Sequence, residues 1–225
     1  ENLGLADFLR RSDPLLLNNA TGKRWHDWLK AGNGTLAFQE WLMNDSVDMI
    51  KEPAMALDAW TKSTSLADEF YDPGTFTTLH GFEWTSHPGG NNIHRVVVFR
   101  DDKVRTQQIL PFSQFDSTDP EDLWQFLADY EKDTGGRVLA IPHNSNLSNG
   151  LMFATRRMGD KGPMTQAYAK QRSHFEPLVE ITQIKGTSEA HPLLSPDDQF
   201  ADYELLDIAN ISGKAAKEEW MLSGE

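Results

Sequence analysis

Three short segments set carboxylate, imidazole and amide side chains where strands end or chains turn tightly. In Gly81-Phe82-Glu83-Trp84, Glu83 follows an apolar stretch. A carboxylate there needs a cation or hydrogen-bond donors to offset its desolvation. A metal ion would meet that need, and so would a neighbouring Arg or Lys. In Gly89-Gly90-Asn91-Asn92-Ile93-His94-Arg95, His94 opens a strand beside a glycine turn, as a ligand or as a hydrogen-bonded structural imidazole. In Ala140-Ile141-Pro142-His143-Asn144, His143 directly follows a buried strand, where α/β barrels keep their ligands. Glu83 and His143 are the surest members of this set. Imidazole with carboxylate suits zinc, manganese or iron.

A fourth segment, Val179-Glu180-Ile181-Thr182-Gln183-Ile184-Lys185-Gly186, alternates polar and apolar residues, so one face is polar enough to line a site. Lys185 and Glu189 follow at its end, as contacts for an anionic substrate or as a salt-bridged loop. Trp84, His87 and Phe153 have the size to shape a pocket or simply to pack. Other chemistries find no motif. The chain has no Gly-x-Ser-x-Gly elbow, no phosphate loop, no dinucleotide fingerprint and no His-Glu-x-x-His helix. With no cysteine, thiolate nucleophiles, disulfides and thiolate metal sites are excluded, so any metal must be held by His, Asp and Glu.

The elements that must position these residues fall into two regions. Residues 1–72 read as helical. Leu3, Leu5, Phe8 and Leu9 share a face, and Thr21 is placed to cap a helix carrying Trp25, Trp28 and Leu29. Further helices are expected over 36–44 and 54–70, with Pro53 at a helix start. Trp25, Trp28, Trp41 and Trp60 read as core. From residue 73 the pattern turns to strands at 75–83, 93–100, 138–141 and 178–184, with helices at 120–133 and 164–171. The turn at 88–92 suits a hairpin, Asp119 caps the first of those helices, and Gly135-Gly136 ends it. Loops are expected over 111–119 and 145–163. The order predicts α/β architecture with parallel strands, in barrel form, as a single domain over 1–225.

Composition narrows the partners. At 225 residues and 39% hydrophobic, the chain can bury a proper core. Its net charge of −13 repels phosphate backbones and attracts cations, so nucleic acid is not an expected partner. No apolar run reaches the roughly 20 residues of a membrane span. No membrane partner is expected, and a soluble protein of open compartment is. Glu1 replaces an initiator Met and 214–225 stops inside a helical pattern, so the sequence reads as part of a longer chain.

The same segments carry a family resemblance. Gly81-Phe82-Glu83-Trp84-Thr85, Pro88 through Arg95, Ile141-Pro142-His143-Asn144, Val179 through Gly186, and Ser188-Glu189-Ala190-His191-Pro192-Leu193-Leu194-Ser195-Pro196 resemble the bacterial family called domain of unknown function 3604. That family is similar to the PHP superfamily, named for polymerase and histidinol phosphatase domains. The resemblance implies a distorted seven-stranded (β/α) barrel, here partial, with residues 1–72 as a helical insertion and 73–225 as the barrel portion. It implies two or three divalent metals (Zn, Mn or Fe), with Glu83 bridging and His94 and His143 as ligands. Arg95, Asn144, Glu180 and Lys185 are then neighbours of the site or substrate contacts. The implied reaction is hydrolysis of a small-molecule phosphoester by a metal-activated water, whose pKa falls towards roughly 7. The superfamily's early His-x-His and late Asp-x-His do not occur here, so the chain resembles an internal slice of low activity on its own. The alternative is a non-catalytic metal- or ligand-binding barrel domain.

Overall fold

The structure is a computed structural model that describes residues 8–43 and 53–213. The readings placed on Leu3, Leu5, residue 44 and 214–225 lie outside the described residues, as does the side chain of Trp41. The chain divides into two compact units, Glu1–His80 with Asp102–Pro111, and Gly81–Asp101 with Phe112–Glu225. No helix among the described residues is long and apolar enough to cross a membrane.

The first unit is helical, as its pattern predicts. Its main helices are α1 (Pro14–Leu17), α2 (Ala20–Lys30), α3 (Gly34–Met43), α4 (Pro53–Glu69) and the short α5 (Lys103–Thr106). Asn19, not Thr21, caps α2: its side chain accepts from the N–H groups of Thr21 and Gly22. Both residue types cap well; the helix simply starts two residues earlier than the apolar pattern suggests. Phe8, Leu16, Trp25, Ala37 and Met55 form the core, with Leu9, Trp28 and Ala59 packed against it. Trp60 is buried and donates from Nε1 to the Thr106 carbonyl at 2.8 Å. Trp25 and Trp60 are thus core residues, and Trp28 borders that core.

The second unit carries the sheet. Strands β1 (His80–Trp84), β2 (Arg95–Phe99) and β3 (Val138–Pro142) lie in that order. Helix α6 (Pro120–Thr134) precedes β3 and α7 (Gln166–Phe175) follows it, and both pack on β3. Asp119 caps α6 by accepting from the Glu121 N–H, and Pro120 needs no donor partner at the first turn. Leu123, Trp124, Leu127 and Tyr130 recur at helical spacing and are buried. Each contributes about 1.5–3 kcal/mol by leaving water. Gly135 then ends the helix in the left-handed region, at φ 67°. Thr165 caps α7, which runs later than its predicted span. The expected loops at 111–119 and 145–163 are irregular, apart from a 3-10 turn at Ser145–Leu147.

The mixed α/β class holds. Parallel pairing does not: β2 and β3 run antiparallel, with Val96 opposite Ile141 and Val97 opposite Ala140. Alternation tells which face a residue takes but not the direction of its partner strand, and the long link through α6 permits either sense. Among the described residues no closed barrel is seen; the strands form one three-stranded and one two-stranded sheet. The strand expected over 178–184 shrinks to β4 (Thr182–Gln183), paired with β5 (Gly186–Thr187). Among the described residues its apolar side chains lack a covering layer: Leu178, Val179, Ile181 and Ile184 are all exposed.

Candidate metal centre

Strand alternation sorts the site. Phe82, Trp84, Arg95, Val97, Phe99, Val138 and Ala140 occupy the buried face of the sheet. Glu83, Val96, Val98, Leu139 and Ile141 occupy the other, more open face. His94 and His143 continue that second face one step past the ends of β2 and β3. The register places them opposite each other, with the His143 N–H donating to the His94 carbonyl at 3.3 Å. Gly81 permits the approach of β1, because a Cβ there would stand 2.6 Å from the Val97 carbonyl oxygen.

The three side chains meet. Glu83 Oε1 lies 3.0 Å from His94 Nδ1 and 3.1 Å from His143 Nε2. The two imidazole rings stand edge to face at 5.7 Å. Both histidines are buried, and the Glu83 side chain is 40% exposed. Hydrogen bonding to His143, then to His94, holds the Glu83 carboxyl far below the usual carboxylate range. Burial pushes the His94 imidazole below its ordinary pKa, against the pull of Glu83. The centre therefore pairs an ionised carboxylate with an imidazole held neutral, the protonation states that metal ligation requires. Glu83, His94 and His143 each offer a donor atom within 4.8 Å of the others.

The surroundings add a second feature. His94 Nε2 and His143 Nδ1 are buried and bond to no group among the described residues. The same holds for Thr85 Oγ1, Asn92 Nδ2, Asn144 Oδ1, Ser148 Oγ and Asn149 Oδ1. All seven sit in two segments, 85–94 and 143–149, joined by the Asn92 N–H to the Leu147 carbonyl at 3.0 Å. A buried polar group left unpaired costs about 1–3 kcal/mol, so these two segments are shaped for polar company. The residues fit a metal ion: the donor set is of the right kind, and buried polar atoms beside it remain to be satisfied.

The other expected site residues separate into two groups. Asn144, at φ 55°, donates its N–H to Glu180 Oε1 at 3.4 Å, and the Glu180 N–H donates to the Pro142 carbonyl at 3.0 Å. Gln183 holds the same Glu180 oxygen at 2.8 Å. Asn144 and Glu180 thus flank His143. Lys185 is exposed, and its carbonyl accepts from Asn146 Nδ2 at 3.0 Å. Arg95 takes the opposite face of the sheet from its neighbour His94. Its Nε donates to Glu176 Oε1 at 2.9 Å and its Nη1 to the Ile93 carbonyl, both deep in the protein. Trp84 packs beneath that guanidinium and donates to the Ser117 carbonyl at 3.3 Å. Phe153 lies under Arg172. The His87 ring is 6.1 Å from that of His94.

Asn92, Ser148 and Asn149 escaped the sequence reading. Their signal was the density of Asn and Ser in Gly89–Asn92 and Asn144–Asn149, which reads equally as turn chemistry. The family model described as "Protein of unknown function (DUF3604)" matches residues 1–225. No curated protein matches the chain. No solved structure matches it either.

Proposed function

For this chain, which belongs to the DUF3604 family of proteins of unknown function, we propose metal-dependent hydrolysis of a small-molecule phosphoester. One observation carries the reading: a single carboxylate oxygen of Glu83 faces two buried imidazoles at 3.0 and 3.1 Å. Glu83, His94 and His143 would hold the ion. Three protein donors are the usual share of a catalytic zinc, whose remaining position takes water or substrate. Kinship with the PHP barrels is part of the proposal, and the second or third ion it implies needs donors beyond these three. Bound here, a divalent zinc, manganese or iron ion supplies Lewis acidity and a water acidic enough to act near neutral pH.

The chain's own residues prepare that chemistry. Glu83 stays ionised and offsets the ion's charge. Desolvation keeps His94 neutral, so its lone pair is free to bind. Glu180 braces the Asn144 N–H, one residue past His143, and so holds the loop that sets the imidazole. The exposed part of Glu83 leaves an approach for substrate on the open face of the sheet.

The test is elemental analysis of the purified protein beside Glu83→Gln and His143→Ala, with hydrolysis of a phosphoester panel measured on the same samples. Metal content and hydrolysis should fall together in both variants, by tenfold or more. Unchanged metal content in both would sink the assignment of these residues. Full metal content with no hydrolysis of any ester would favour the non-catalytic binding domain.

A further inference from the structure

The first unit holds a separate cluster of reactive side chains. Ser12 Oγ lies 2.8 Å from His26 Nε2, and His26 Nδ1 lies 3.3 Å from Asp27 Oδ1. Hydroxyl, imidazole and carboxylate are thus in sequence, and the hydroxyl is within the reach that proton transfer to the imidazole needs. The carboxylate selects the tautomer. Nδ1 carries the proton and donates to Asp27, so Nε2 accepts from the Ser12 hydroxyl. Lys23 Nζ holds the other Asp27 oxygen at 2.6 Å. Hydrogen bonding to Lys23, then to His26, keeps the Asp27 carboxyl below its ordinary pKa, so it stays ionised.

The backbone prepares Ser12 for this role. It sits at φ 56°, in the left-handed region that residues other than glycine seldom enter. The turn is fixed from both sides. The Asp13 N–H donates to the Phe8 carbonyl at 3.2 Å, and the Asp13 carboxylate caps α1 by accepting from the Leu15 N–H at 2.9 Å. Strain held in this way is a mark of functional turns, where it aims a side chain in advance. Ser12 and His26 are only half-buried, which leaves the pair within reach of solvent. The same unit has a similar sequence of groups, with His80 2.8 Å from both Asp68 and Thr106. That one is sealed, because Thr106 and His80 are buried.

In acyl transfer, Ser12 Oγ attacks a carbonyl carbon as its proton passes to His26 Nε2. A C–O bond forms, the bond to the leaving group breaks with its electron pair, and His26 returns the proton to the departing atom. The local N–H groups restrict the acyl donor. Those of Ser12 and Asp13 are spent on the Leu9 and Phe8 carbonyls at 3.4 and 3.2 Å, so neither cradles an oxyanion. One such donor is worth about 10²–10³-fold in rate. A leaving group that departs readily compensates for that loss. An acyl-serine has only a poor alkoxide to expel, so acylation runs and deacylation lags. We propose that Ser12 is an acylation site, which takes an acyl group from a thioester or aryl ester and retains it as an ester. The proposal does not rest on the metal centre.

The test is intact-mass and peptide-mapping mass spectrometry on the whole chain treated with p-nitrophenyl acetate or phenyl thioacetate. Ethyl acetate, whose leaving group is poor, is the comparator. Both activated donors should place a single acetyl group on Ser12, and ethyl acetate none. Glu83→Gln should label to the same extent, which separates this site from any turnover at the metal centre. Ser12→Ala should lose the label, and so should Ser12→Gly, which accepts the positive φ and guards against misfolding. His26→Gln should slow labelling about a hundredfold. Asp27→Asn should lower its rate and leave its final extent unchanged. Circular dichroism checks that each variant folds. Acetyl groups on lysines with none on Ser12, equal labelling by ethyl acetate, or a Ser12 label formed as fast in His26→Gln would overturn the proposal.

Discussion

At the scale of single residues, Glu83 and Glu176 show two uses of a carboxylate on opposite faces of one sheet. Glu83 is open to solvent on one side and, among the described residues, engages two imidazoles. Glu176 is sealed in, accepting from Arg95 Nε at 2.9 Å, Arg172 Nε at 3.1 Å and Trp124 Nε1 at 2.8 Å. Removing one member of a buried ion cluster leaves the others uncompensated and costs about 3–5 kcal/mol. Glu176→Gln is therefore expected to destabilise by that amount in urea denaturation. Arg172→Met should cost less, because the Arg172 side chain is 16% exposed while that of Glu176 is 2%. Equal losses would contradict this ordering. Glu83 and His143 could be singled out in sequence because each is polar after an apolar run, and His94 joined them through the family resemblance; the structure brings the three together. The burial of Arg95 was not legible. Its partner lies 81 residues away, and nothing local to the β2 segment announces Glu176.

At the scale of elements, the centre depends on how closely β1 approaches β2. Gly81→Ala would push its methyl group against the Val97 carbonyl, which is backbone and cannot swing aside. The expected result is a lowered melting temperature together with weakened metal binding, read by thermal scans and by elemental analysis. Gly135→Ala is the control. A Cβ at Gly135 meets nothing within 4 Å, so only its positive φ is strained. It should cost about 1 kcal/mol and leave metal content unchanged. Matched losses of metal in both variants would refute the role given to Gly81. Strand β2 was readable to within two residues from its valine run, and β3 to within one from its apolar run. The strand expected at 75–83 was not: ordered pairing begins only at His80. Likewise 178–184 has strand composition, but its apolar residues meet water, and composition alone does not create a partner.

At the scale of the molecule, the net charge of −13 acts on both things the proposed reaction needs. It draws divalent cations in and pushes phosphoesters away. Raising salt screens both effects. The association rate for metal should fall severalfold between low salt and 0.5 M, while KM for a phosphoester should fall over the same range. Stopped-flow uptake and steady-state rates would check this, and a KM that rises with salt would count against it. The helical first unit and mixed α/β second unit were legible from periodicity. Antiparallel β2–β3 pairing was not, because a valine run buried on one face looks the same whichever way its neighbour runs.

The meeting of Glu83 with His143 spans 60 residues of chain. A cation held between them would be a cross-link as well as a reagent, fastening three segments that the unfolded chain keeps apart. Its binding energy would then count towards folding, about 2.7 kcal/mol when the free ion is at a hundred times its dissociation constant. Starving the cell of that ion would do more than idle the protein. It would raise the unfolded fraction, expose the chain to proteases, and make its abundance a record of metal supply.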